Sequence, residues 1–294
     1  MAGTSQGGTM EGALDPQSFH KLADLAYRES GLQLVIEKTS MIQSRLRPRL
    51  RAMGTSDFKS YADFVCSDAG VEERRQMISA LTTNVSHFFR EEHHFDILKE
   101  KIVPELIRKL RAGGKVRLWS AGSSNGQEAC SIAMCLLEKI PDIASADVRI
   151  LGTDIDPKVV AFASAAIYPQ QMVSGIPEPL LKKYFEPRPA GSETEYVACP
   201  QLRKLVLFRE LNLLGDWPLR QKMDTIFCRN VVIYFDQKTQ NTLWPRFRAQ
   251  LGEDGYLFLG HSERIVSPES MGFCNAGPTA YRPVGSNRSA SAGN

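Results

Sequence analysis

Downstream of Thr82 the chain alternates strand-like and helix-like stretches, and that alternation restricts the fold more than any other feature. An apolar run at 115–119 leads through small residues at 120–126 into an apolar helix at 127–140. A second strand at 148–152 precedes a helix at 157–166. Further strands are predicted at 205–208, 225–228 and 256–259, and a helix at 237–251. Strands joined through helices form a mainly parallel sheet covered on both faces, so the class is a doubly wound α/β domain. A long helical stretch at 91–111 precedes the first strand. The stretch 187–202 departs from the pattern: Pro, Gly, Ser and Thr surround short β-like pieces, as in an inserted loop or small sheet.

Before Thr82 the signals are helical. Asp15-Pro16 is an N-cap followed by proline at the first helical position. Phe19, Leu22, Leu25 and Ala26 recur at helical spacing, and Gly31 suits the stop. Ile42, Leu46, Leu50 and Met53 form a second stripe, with Pro48 predicting a kink or break. Two short helices follow at 57–65 and 71–81. Residues 1–13 and 285–294 have compositions that predict disorder.

The net charge of +3 is too small for a whole-protein nucleic-acid binder. No apolar run approaches the roughly 20 residues that span a bilayer, and Met1 to Met10 has no basic and apolar leader pattern. The expectation is a cytoplasmic, monomeric protein with no membrane insertion. The six cysteines lack C-x-x-C spacing and read as reduced thiols. His93-His94 offers no ready metal pair, because adjacent helical residues point about 100° apart; no metal is expected.

Four strand tips carry polar residues where open α/β sheets bind ligands. In the first, Gly122 and Gly126 flank a tight loop, but the spacing is not that of a dinucleotide fingerprint. Glu128 lies where a diphosphate would sit and would repel it, while suiting the ammonium of a methionyl group. That favours S-adenosylmethionine over NAD, although a plain helix start is an equal reading of the loop alone. In the second, Asp154 is placed to accept ribose hydroxyls, and Asp156 caps the helix that Pro157 opens. In the third, Arg229, Asn230 and Tyr234 follow an apolar strand. Asn212 and Leu213 could meet an adenine edge and face, or form an ordinary turn.

Taken together, Thr82-Thr83-Asn84-Val85-Ser86-His87-Phe88-Phe89-Arg90, His93-His94-Phe95, Trp119-Ser120-Ala121-Gly122, Cys228-Arg229-Asn230 through Tyr234-Phe235-Asp236, and Gly260-His261-Ser262-Glu263 closely resemble the CheR chemotaxis receptor methyltransferases. The resemblance runs in order from about Phe19 to Tyr281. It implies a helical substrate-recognition domain at 14–82 and a linker at 83–95 that contributes to the cofactor site. It also implies a Rossmann-like methyltransferase domain at 96–284 with a β-subdomain inserted at 187–204. By that resemblance Asn84, Ser86, Arg90, Glu128, Asp154, Asn212, Leu213, Arg229 and Asn230 match cofactor-binding positions. Tyr234 matches a tyrosine beside the methyl-transfer centre, with Arg90 as its companion. Ser86 stands where the family pattern has threonine, with the hydroxyl retained.

The implied reaction is methylation of receptor glutamate carboxylates, with S-adenosylhomocysteine as product. Alternatives are a nucleic-acid methyltransferase and a non-catalytic S-adenosylmethionine-binding receptor module. The first lacks a proline-rich strand-end loop, and Cys228 has no proline neighbour; the second is opposed by retention of Tyr234. Between Glu37 and Asp57 the chain carries Lys38, Arg45, Arg47, Arg49 and Arg51 and no acid. Composition reads this as a solvated basic face. The family instead sets such a helix against the acidic methylation helices of receptors, which assigns substrate docking to Arg45, Arg49 and Arg51. Some relatives hold a receptor's C-terminal peptide on the β-subdomain; only Gly191 occurs here where those members have several glycines.

Overall fold

A computed structural model of the chain describes residues 12–140 and 143–285. The disorder expected at 1–13 and 285–294 falls almost wholly outside them. The chain forms two compact units, one ending at Thr83 and one beginning at Asn84.

The first unit is helical: α1 (Pro16–Ser30), α2 (Thr39–Ala52), α3 (Phe58–Cys66) and α4 (Val71–Leu81). The Asp15 side chain accepts from the Ser18 N–H, and Gly31 ends α1 in the left-handed region at φ 71°, so both boundaries follow local chemistry. Phe19, Leu22, Leu25 and Ala26 are buried as their spacing requires. Of the kink or break expected at Pro48, the break does not occur: α2 continues through it. Ile42, Leu46 and Leu50 are buried on that helix, and their packing outweighs the one backbone bond that proline forgoes. Met53 lies past the helix end and is exposed, so it leaves the predicted stripe.

The second unit begins with α5 (Glu92–Ile97), a π-helical turn at 98–102, and α6 (Val103–Arg111). The predicted long helix is thus continuous but locally widened. Pro104 cannot donate to residue 100, and the wider turn makes room for its ring. There follow β1 (Val116–Ala121), α7 (Gln127–Lys139), β2 (Val148–Asp154), α8 (Pro157–Ala165), β3 (Ile167–Pro169), α9 (Gln170–Val173) and α10 (Glu178–Tyr184). Next come β4 (Phe185–Ala190), β5 (Glu193–Ala198), α11 (Pro200–Leu205), β6 (Val206–Glu210), β7 (Met223–Cys228), α12 (Gln237–Gln250), β8 (Leu251–Leu259), β9 (Phe273–Gly277) and β10 (Ala280–Pro283).

The main sheet has the order β6-β2-β1-β7-β8-β10-β9. β6 through β8 are parallel, and β10 pairs antiparallel with both β8 and β9. Strand order reverses between β1 and β7, which opens a crevice at their carboxyl ends. The inserted sheet, β3-β5-β4, is larger than the expected 187–204. It begins with β3, and residues 200–204, expected within it, belong to the helix α11. β3 was missed because three residues are too few to show a period. Two apolar clusters fill the unit, including Phe88, Ile132 and Phe227 in one and Trp119, Trp244 and Phe247 in the other.

Candidate active site

The turn after β1 is built around backbone that only small residues permit. Gly122 and Gly126 have φ of 78° and 82°. A Cβ on Gly122 would strike the Val231 side chain, and one on Gly126 would come within 2.8 Å of Ala163. The turn therefore lies directly against the β7 loop and α8, and opens α7. Glu128, in the first turn of α7, accepts from the Ser120 hydroxyl at 2.7 Å and from Arg229 at 3.0 Å. Burial pushes the pKa of its carboxyl up, while Arg229 and Ser120 oppose that shift.

Asp154 ends β2 and is 7% exposed. One oxygen accepts from the Ser124 N–H at 2.8 Å and the other from the Asp156 N–H at 3.1 Å. Burial pushes the pKa of this carboxyl up as well. Asp156 caps α8 by accepting from the Lys158 N–H, and its other oxygen accepts from Asn84 Nδ2 at 2.8 Å. Asn84 also takes a hydrogen bond from the Ser124 hydroxyl on its carbonyl. These bonds tie Asn84 to the tips of β1 and β2, 40 and 72 residues away.

Arg229, just past β7, is the hub on the other side. Its guanidinium bonds Glu128 and the Arg90 carbonyl, and lies 3.3 Å from Glu91. Its Nε is buried without a hydrogen-bond partner among the described residues, as is the Ser123 hydroxyl. Arg90 is half-buried and donates to the Val85 carbonyl at 3.3 Å. Ser86 is half-buried nearby in sequence. Tyr234 ends a 3₁₀ turn after β7, half-buried; among the described residues nothing bonds its hydroxyl. Asn212 and Leu213 follow β6 in a tight turn, where Asn212 Oδ1 accepts from the Leu214 N–H at 2.9 Å. The Leu213 side chain is buried, and its carbonyl accepts from Arg246 and Trp217.

Glu91 was not singled out in the sequence. It sits at φ 57°, and accepts from the His261 N–H and ring, at 3.2 and 3.1 Å. Burial pushes its carboxyl up, but the charge of Arg229 and the His261 bonds outweigh it and hold the group at about 2. The expectation that His93 and His94 point apart needs correction: with Glu91, their ligand atoms lie within 4.8 Å of one another. His94 is fully buried, with Nε2 on the Pro278 carbonyl and Thr279 hydroxyl. Glu91 Oε2 lies 3.5 Å from His94 Nδ1 and 3.3 Å from Arg229, so a divalent ion there would meet a fixed positive charge.

Arg49 in the first unit makes a two-pronged bond to Glu73 at 2.9 and 2.5 Å, and Tyr61 donates to the same carboxylate at 2.9 Å. Arg45 donates to the carbonyls of Leu81 and Thr82. Arg51 is exposed. Arg45 and Arg49 therefore have their guanidinium groups engaged within the unit.

A carboxylate and a guanidinium side by side, Glu128 and Arg229, form the pair that an amino-acid zwitterion requires. A buried carboxylate at the neighbouring strand tip suits a diol. Two family models match the chain: "CheR methyltransferase, SAM binding domain" over residues 84–279, and "CheR methyltransferase, all-alpha domain" over 17–82. The chain belongs to the CheR methyltransferase family. It is 43% identical to the probable chemotaxis protein methyltransferase of Rhizobium etli, over 88% of this chain and 96% of that one. It is 36% identical to the chemotaxis protein methyltransferase of Escherichia coli, over 92% and 91% of the two chains. A Borreliella burgdorferi chemotaxis protein methyltransferase is 37% identical over 89% and 92%. The CheR chain is thus a methyltransferase whose cofactor is S-adenosylmethionine. Among the described residues no helix is long and apolar enough to cross a membrane. The cysteines are free thiols, and burial pushes Cys130 and Cys135 up to about 12 and Cys228 well above its usual range. Cys228 is therefore a neutral thiol, unlike the nucleophile that cytosine methylation uses.

Proposed function

We propose that this enzyme methylates glutamate side-chain carboxylates of bacterial chemoreceptors, giving methyl esters and S-adenosylhomocysteine, as the adaptation step of chemotaxis. The carrying observation is the convergence of Glu128, Asp154 and Arg229 on the crevice of a CheR-family domain. In this reading Glu128 and Arg229 take the amino-acid end of the cofactor, Asp154 the ribose, and Asn212 with Leu213 the adenine. Asn84, Ser86, Gly122 and Asn230 complete the lining.

Bound S-adenosylmethionine supplies an activated methyl group. A glutamate carboxylate is ionised at neutral pH, with a reference pKa of about 4.3, so the nucleophile needs no general base. The chain's task is alignment and exclusion of water. Arg90 orients the incoming carboxylate by a charge-assisted hydrogen bond, and the Tyr234 hydroxyl is free to do the same. The basic helix α2 attracts the acidic methylation helices; exposed Arg51 makes contact, while Arg45 and Arg49 contribute mainly charge.

Tethering by a receptor's C-terminal peptide is the weaker part of this reading. β4 is a free edge of the inserted sheet and carries Pro187 and Pro189 at the same parity. Proline is tolerated in a paired strand where its missing N–H faces away from the partner, so this edge is short of donors for strand addition. Incubating the enzyme with labelled cofactor and receptor cytoplasmic fragments tests the function. Base-labile label on glutamate is expected; label on nucleic acid, or none, would overturn it.

A further inference from the structure

Glu263 lies in the turn after β8, outside every role described above. It is 3% exposed, yet none of its hydrogen bonds goes to a cationic side chain among the described residues. Its carboxylate instead gathers four backbone N–H groups. Oε2 accepts from Gly260 at 2.6 Å and Asn230 at 2.9 Å; Oε1 accepts from Val231 at 2.8 Å and Ile233 at 3.1 Å. Three of these donors belong to the loop that carries Asn230 and Tyr234.

That loop has an unusual path. Asn230 adopts φ 58°, a conformation side chains rarely take, and its part-buried N–H has the Glu263 carboxylate as its acceptor. Space around the carboxylate is equally restricted. A Cβ on Gly260 would lie 2.5 Å from Asn230 Nδ2, 2.7 Å from Asn230 N and 2.9 Å from Glu263 Oε2. Glycine at 260 and glutamate at 263 thus form one device: the first leaves room, the second supplies the acceptors.

We propose that Glu263 is a positioning residue for methyl transfer, its carboxylate setting the backbone path of residues 230–233 and thereby the placement of Asn230 and Tyr234. This rests on the reading that those two residues border the reacting groups. Alignment errors of about 1 Å at a reacting centre cost on the order of 100-fold in rate, so a shifted loop acts on turnover. Glutamine has nearly the same shape but turns one acceptor oxygen into a donor, which two backbone N–H groups would then face.

The test compares wild type, Glu263→Gln and Gly260→Ala with Val148→Ala, a core variant of β2 remote from the loop. Hydrogen exchange should show the amides of Asn230, Val231 and Ile233 losing protection in the first two variants only. Turnover on receptor fragments at saturating cofactor should fall at least about 30-fold in both, with receptor KM changed less than about threefold. Val148→Ala should keep near-normal turnover below its unfolding temperature. Gly260→Ala pushes on Asn230 directly with the carboxylate kept, so it reports what loop displacement costs turnover; if Glu263→Gln does not fold, Glu263→Asp, which keeps the charge and draws the oxygens back by one methylene, decides the matter on the same readouts. The inference is overturned if loop protection survives, or if turnover of both loop variants stays within threefold of Val148→Ala. Failure of wild type to methylate any receptor fragment would instead sink the proposed substrate, while the exchange pattern would still decide what Glu263 holds.

Discussion

Replacing Arg49 by alanine separates structural from docking roles on α2. The guanidinium makes two bonds to Glu73, whose side chain is 5% exposed, whereas that of Arg49 is 20% exposed. Removing one partner of a buried pair costs ~3–5 kcal/mol, because the other charge is stranded. Two features reduce this. Water reaches the Arg49 side, and the Tyr61 hydroxyl still donates to Glu73. The expected loss is therefore about 2–3 kcal/mol. With a urea dependence of about 1–2 kcal/mol per molar, the midpoint of the first unit should fall by roughly 1–3 M. Pulse hydrogen exchange on peptides from α3 and α4 reads that unit. Trp119, Trp217 and Trp244 all lie in the second unit, so their fluorescence is an internal control that should not move. Arg51→Ala should leave both transitions within about 0.5 kcal/mol, and raise the apparent KM for receptor in a salt-dependent way. If Arg49→Ala leaves the first-unit midpoint within 0.3 M of wild type, about 0.5 kcal/mol, the pair does not hold the unit together as argued.

Asp154→Ala should weaken S-adenosylmethionine binding by about 1–3 kcal/mol in calorimetry, because charged hydrogen bonds are lost; unchanged affinity would remove Asp154 from the site. Tyr234→Phe should lower turnover more than cofactor affinity, and wild-type turnover would show that only the ring matters. Burial, with the charges of Arg229 and His93, lowers His94 to about 4 from an ordinary 6.5. The unfolded chain then takes up the proton first, so His94 contributes stability that is present above pH 6.5 and lost as pH falls towards 4. His94→Gln should flatten that part of the tryptophan-monitored stability profile; an unchanged slope would show that His94 titrates normally. Receptor tail peptides should give no saturable calorimetric binding, and a micromolar isotherm would reinstate the tether.

Much of this protein was legible one segment at a time. The Asp15 cap, the Gly31 stop, the strand–turn–helix around Gly122 and the Asp156 cap depend on neighbours a few residues away, and local chemistry sets them. The same holds for Glu128, in the first turn of α7, and for Asp154, at the tip of β2. Pairing across the chain was not legible. Arg229 meets Glu91 and Glu128 from 138 and 101 residues away, and no periodicity encodes such a contact. Arg49 read as a docking charge until Glu73 folded against it. Glu263 was visible within a motif, but its role rests on three N–H groups some 30 residues earlier in the chain. Short strands such as β3 were decided by partners rather than by their own sequence. Hydrogen bonds and ion pairs between distant residues cost chain entropy that only the assembled core repays, so the sheet decides them.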